Sequence, residues 1–177
     1  MSKQKLFIGI SGKMGTGKST ISHLLQAALQ ENSKVSISSL ASPIYKGQDL
    51  LYKQYGLTLE GEKDRDLLIA IGLWGRAKDP NFWLEQFAKE SLESDVDIII
   101  CDDVRFENEA DFFKKYGLLF RIDGEQRGEN LDESRKNHST EISLDDYPFE
   151  NVITNDKEPA LMVQEIANIM LGDSEAA

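Results

Sequence analysis

Apolar residues along this chain fall into short compact blocks that alternate with stretches of helical spacing. "KLFIGIS" is an apolar run closed by glycine, and beyond "GKMGTGKST" the positions Ile21, Leu24, Leu25, Ala28 and Leu29 recur at the three-to-four-residue interval of a helix. "KVSISSL" reads as a second strand. In "SPIYKGQDLLYKQYG", Pro43 suits a helix start and Gly56 a helix stop. After the polar break "TLEGEKD" the pattern predicts helices over Asp64 to Trp74 and Pro80 to Leu92, the second with Asp79 as its N-cap. "VDIIIC" is continuously apolar rather than alternating, as expected of a central parallel strand covered on both faces, and it runs into two acids. "RFENEADFFKKYG" predicts a helix ended by Gly117, "LLFRID" a strand, and "ENVITND" leads into a final helix with Met162, Ile166, Ile169 and Met170 on one face.

Strands alternating with helices predict an α/β fold, a parallel sheet flanked by helices. Residues 1–177 read as a single domain, with a helical insertion at about 41–93 between the second and third strands. The polar stretch at about 124–147 is longer than a compact domain uses for a plain connection, and predicts a lid.

Composition narrows the function classes. At 177 residues, 40% hydrophobic and 29% charged, the chain has the make-up of a soluble globular domain. Its net charge of −11 would repel a polyanion, which argues against nucleic acid as a partner but leaves room for a small phosphorylated ligand held by a few placed cations. No run of about 18 apolar residues and no signal-peptide pattern is present, so the expectation is a cytoplasmic protein without a membrane span. The single cysteine, Cys101, falls inside the third strand and reads as a structural thiol.

Chemistry concentrates at the ends of strands. Gly12, four residues, then Gly17, Lys18 and Ser19 fit the phosphate-loop pattern, with the strand before it and helix after it that the pattern requires. Gly12, Lys13, Gly15, Thr16, Gly17, Lys18, Ser19 and Thr20 are therefore candidate nucleotide-binding residues. The backbone N–H groups and the helix dipole would face phosphate, Lys18 would supply a mobile cation, and Ser19 would ligate Mg²⁺. Asp102 and Asp103 end the buried strand where a carboxylate can orient a magnesium-bound water, and spacing alone does not choose between them. Arg105 follows at the same rim as a candidate phosphate ligand, or as a surface partner of Glu109. Arg76 lies near Trp74 and Trp83, whose rings would line a base slot or simply pack a core. Arg127 and Arg135 fall in the lid candidate, where cations could reach a transferring phosphoryl group on closure. His138 with Glu141 is too sparse for a metal site, and His23 reads as a surface residue.

Together, "GISGKMGTGKST", "ASPIYK", "RDLLIAIGLWGRAKDPNFW", "IIICDDVRFENEADFF" and "HSTE" resemble the bacteriophage deoxynucleoside monophosphate kinases and, more distantly, animal-type phosphomevalonate kinase. The resemblance runs from about Phe7 to Asn155. It implies an adenylate-kinase-like P-loop fold, with ATP and Mg²⁺ as donor and a deoxynucleoside monophosphate as acceptor. It further implies that Lys18 and Ser19 serve the donor, that Asp103-Val104-Arg105 form the acidic strand end with its acceptor-side arginine, and that Arg76 and, more loosely, Arg65 bind acceptor in the insertion. A phage-encoded protein would work in the host cytoplasm, and a homodimer is among the assemblies open to it. The chain departs from the family pattern at Ser42, Asp102 and Glu107, where relatives tend to carry Asp, Ser and Pro. A small-molecule kinase, and a nucleotide-dependent switch with no acceptor, are the competing expectations.

Overall fold

The computed structural model describes residues 5–61, 63–125 and 143–172. Within these the chain divides into two compact units, one made of residues 1–38 and 95–177 and the other of Ser39–Ser94.

The first unit is a five-stranded, wholly parallel sheet with strand order β2-β3-β1-β4-β5. The strands are β1 (Leu6–Ser11), β2 (Val35–Ile37), β3 (Ile98–Val104), β4 (Gly117–Asp123) and β5 (Asn151–Thr154). Helix α1 (Lys18–Leu29) follows β1, and β4 follows α5 (Glu107–Tyr116) directly; the last helix of the chain, Pro159–Leu171, follows β5. Central strands of a parallel sheet bury both faces, and β1 shows what fills each. Ile8 and Ile10 point into a core with Ile21, Leu25, Ile100, Phe120, Ile122, Ile153 and Ile166. On the opposite face Phe7 meets the rings of Phe112 and Phe113 edge-on, at 5.2 and 6.5 Å between centroids. The continuous apolar run of β3 is buried from Ile98 to Cys101, as its sequence predicts.

Helix α1 buries Ile21, Ser22 and Leu25 but leaves Leu24 and Ala28 exposed, a narrower inward stripe than the five apolar positions suggest. His23 is exposed, as expected.

The second unit is three helices: α2 (Ser42–Tyr55), α3 (Arg65–Lys78) and α4 (Phe82–Glu93), so the helix after β5 is α6. Pro43 lies at the start of α2 and Gly56 closes it with φ of 63°. Asp64 caps α3 by accepting the N–H of Leu67 at 3.0 Å and the hydroxyl of Tyr52 at 2.7 Å, which holds its carboxyl below the ordinary carboxylate value. Two boundaries differ from the sequence expectation. Helix α3 continues past Trp74 to Lys78, so Arg76 sits in its last turn rather than between helices. Helix α4 begins at Phe82 after Asn81, not at Pro80, because Asp79 spends its carboxylate on the N–H of Asn81 at 2.6 Å in a local turn.

Within this extension Gly75 is closely packed. A Cβ there would lie 2.4 Å from the Trp83 ring, so only glycine lets the indole approach α3 this closely and donate its N–H to the Gly72 carbonyl at 2.9 Å.

Among the described residues no helix is long and apolar enough to cross a membrane.

Candidate functional site

In an open parallel sheet, ligand groups gather beyond the carboxyl ends of the strands. In the sheet unit four such ends converge: the loop after β1, Asp103 and Arg105 around the end of β3, Arg121 on β4 and Asn155 after β5.

The loop after β1 takes its shape from three glycines with positive φ, Gly12 at 151°, Gly15 at 79° and Gly17 at 91°. At Gly12 the constraint is also one of space, since a Cβ would stand 2.5 Å from the carbonyl oxygen of Ile122. The loop curls around one atom. The carbonyl oxygen of Lys13 accepts the Thr16 N–H at 3.3 Å, the Thr16 hydroxyl at 2.9 Å and the Lys18 ammonium at 2.8 Å. Gly17 in the left-handed region is the N-cap of α1, so the chain enters the helix at Lys18 with its first-turn N–H groups at the loop. Ser19 and Thr20 are exposed in that turn.

A small cleft lies against this loop, lined by Ser11, Gly12, Lys18, Asp103, Arg105 and Arg121, with Leu144 closing one side. Its volume is about 10 Å³, room for about one water molecule. Of the two strand-end acids, Asp103 lines the cleft. The Cys101 thiol, on the same face of β3, donates to Asp103 Oδ1 at 3.0 Å, and burial followed by the charge of Asp103 pushes that thiol well above its usual range. Cys101 is thus a buried prop for Asp103, in keeping with a structural thiol. Arg105 is exposed at the rim. Glu109 Oε2 accepts the backbone N–H groups of Arg105 at 2.8 Å and Phe106 at 3.1 Å, so the carboxylate three residues into the turn caps α5 and fixes the bend that carries Arg105.

Three residues of this region escape the sequence reading. Arg121 is 8% exposed on β4, its guanidinium 3.4 Å from Asp145 Oδ1 and 5.5 Å from the centroid of the Phe149 ring. Asp145 Oδ2 also accepts the Lys13 ammonium at 2.9 Å. Asn155, likewise 8% exposed, donates through Nδ2 to the carbonyls of Thr16 at 2.8 Å and Glu125 at 3.2 Å, tying the phosphate loop to the ends of β4 and β5. A signal existed for Arg121, because a charge inside the otherwise apolar "LLFRID" needs a local reason. Asn155 stands at a strand end, which is a weaker one. Nothing in the sequence marks Asp145.

In the helical unit, Arg65 opens α3 and Arg76 lies in its last turn, both exposed. Trp83 is buried in packing, whereas Trp74 is 54% exposed. Both border an apolar groove of about 820 Å³ with Leu50, Leu51, Ile71 and Phe82. Arg127, Arg135, His138 and Glu141, and with them most of the expected lid, lie outside the described residues.

The chain matches no family model and no curated protein. Solved structures do share its shape. TT1252 from Thermus thermophilus aligns with a TM-score of 0.60 and 15% identity over 98% of this chain and 100% of that one. A shikimate kinase from Bacteroides thetaiotaomicron aligns with a TM-score of 0.51 and 14% identity, over 94% and 98% of the two chains. A gluconokinase from Sinorhizobium meliloti aligns with a TM-score of 0.50 and 14% identity, over 96% of each. At such identities the likeness establishes the fold alone, a parallel α/β sheet flanked by helices.

Proposed function

We propose that this protein is an ATP-dependent phosphotransferase that passes the γ-phosphoryl group to a deoxynucleoside monophosphate, giving the diphosphate. The observation that carries the reading is the single cleft at which Gly12, Lys18, Asp103 and Arg105 meet. A loop of this geometry presents N–H groups and a lysine to the donor phosphates, where charge spreads as the phosphoryl group moves. Arg105, past the strand end, is suited to grip a second set of phosphates bidentately. Arg65 and Arg76 enter as acceptor residues on the sequence resemblance alone, and Trp74 as a candidate base contact on its exposure.

Magnesium fits the donor set. Among the described residues no three His, Cys, Asp or Glu side chains cluster as an all-protein metal site would require. Magnesium on a nucleotide asks for less: one or two protein oxygens, with phosphates and water completing the octahedron. The Ser19 hydroxyl and the Asp103 carboxylate are the residues that would serve, and the ion would neutralise the donor phosphates. Asp103 is held for that role by the Cys101 thiol.

A second reading, a kinase for a small non-nucleotide acceptor, draws support from structural neighbours that carry the names shikimate kinase and gluconokinase. One panel separates the two. ATP consumption is measured against deoxy- and ribonucleoside monophosphates, phosphomevalonate, shikimate and gluconate. The proposal expects stimulation by one or more deoxynucleoside monophosphates; stimulation by a non-nucleotide alone supports the second reading. With the best acceptor, Arg105→Met should lower kcat/KM by a factor worth about 2–5 kcal/mol when acceptor binding desolvates this exposed guanidinium and its phosphate. Its affinity for a non-hydrolysable ATP analogue should stay near that of the wild type. If analogue binding collapses instead, Arg105 belongs to the donor.

A further inference from the structure

The cleft beside the phosphate loop holds about one water molecule, far less than a phosphoryl group needs; Leu144 lines it, and the next residue, Asp145, pairs with the loop's Lys13. Leu144 is buried against the cleft, 4% exposed. Asp145 places one carboxylate oxygen 2.9 Å from the Lys13 ammonium of the loop and the other 3.4 Å from the guanidinium of Arg121, which lines the cleft. A carboxylate bridging two cations at a phosphate loop has the charge and the oxygen geometry of the ligand itself. The segment is fastened at its far end, where the Tyr147 hydroxyl donates to Asp111 Oδ1 at 2.8 Å and the Tyr147 and Phe149 rings pack at 4.9 Å. Burial and the Asp111 carboxylate push that hydroxyl up to about 12, so it remains a donor throughout the working range.

We propose that Asp145 is an internal counter-anion of the phosphate cleft: it holds Lys13 and Arg121 in the ligand-free protein and yields both cations to the phosphates of a bound nucleotide. This rests on the phosphate-site reading above, adds Arg121 to the phosphate contacts and couples it to Lys13 of the loop. Arg121 is nearly buried on a strand, so its guanidinium has little freedom to find solvent, and its charge must be matched in both states. Asp145 supplies the match when the cleft is empty, and phosphate supplies it when the cleft is filled. Leu144 leaves with Asp145, so ligand entry and cleft opening are one event. The carboxylate thereby weakens phosphate binding, and its removal should strengthen it, the reverse of what deleting a binding residue does.

Titration calorimetry with inorganic tripolyphosphate and with ATP at fixed ionic strength tests this on the full chain. Asp145→Asn, which keeps the size of the side chain, should bind tripolyphosphate about two- to fivefold more tightly than wild type, the coupling that part-exposed ion pairs show. Arg121→Gln should bind more weakly, and in Arg121→Gln/Asp145→Asn the gain from Asp145→Asn should shrink, because one of the two cations it frees is gone. Asp145→Glu, which restores the charge, should return toward wild type. If wild type binds and Lys18→Ala does not, yet Asp145→Asn binds equally or more weakly, Asp145 is a brace and the proposal is overturned while the phosphate site stands. If wild type binds neither probe, or Lys18→Ala binds both as wild type does, the phosphate-site reading falls and the counter-anion with it.

Discussion

Asn155 shows how much a single amide can hold at the glycine-rich loop after β1. Its Nδ2 is shared between the carbonyls of Thr16 and Glu125, and Thr16 is itself buried, so the loop's curvature depends on a donor that arrives from the far side of the sheet. Asn155→Ala leaves the Thr16 carbonyl without that donor, at a cost of about 1–3 kcal/mol in stability. Asn155→Asp should be worse than alanine, because a carboxylate cannot donate and would face two carbonyl oxygens. Chemical denaturation of the two variants checks the order, and equal or reversed effects would mean that the loop keeps its shape without the amide. At this scale the sequence was legible where chemistry demands a fixed spacing, as from Gly12 to Ser19. It was illegible where a residue acts through a tertiary contact, as Asn155 and Asp145 do, because each reaches the loop across more than a hundred residues, to Thr16 and to Lys13.

Elements were legible to the extent that local signals and packing agree. Pro43 and Gly56 bracket α2 to within a residue, and the two strands β3 and β4 are buried along most of the lengths their apolar runs suggest. The boundary between α3 and α4 differs from the expectation, which stopped the helix at Trp74: α3 carries on through Gly75, which is a packing surface for Trp83. The two roles predict opposite signs for one substitution. As an ordinary helical position, Gly75→Ala would gain about 1 kcal/mol from propensity. With a Cβ 2.4 Å from the indole, it should instead lose about 1–3 kcal/mol to overpacking. Thermal unfolding decides it: a lowered midpoint, with quenched or shifted Trp fluorescence, supports the packing role, and a raised midpoint refutes it.

For the whole molecule, alternation of strand and helix was enough to predict a parallel α/β sheet flanked by helices, and the parallel sheet with order β2-β3-β1-β4-β5 agrees. The acceptor does not follow from the fold, since proteins of this shape carry the names of kinases for different small molecules. A net charge of −11 adds one constraint to the proposal: a phosphate ligand would have to be held by local cations against an unfavourable overall field, so its binding should rest on Lys18, Arg105 and Arg121 at the cleft. The central claim is that the γ-phosphoryl group leaves this cleft for a nucleoside monophosphate and not for water. ATP labelled in its terminal phosphate, incubated with the wild type and the best deoxynucleoside monophosphate of the panel, should deliver the label to the deoxynucleoside diphosphate. Lys18→Ala, folded as judged by circular dichroism, should lower that transfer at least about a hundredfold. Label recovered only as inorganic phosphate, at a rate indifferent to the acceptor, would contradict the account.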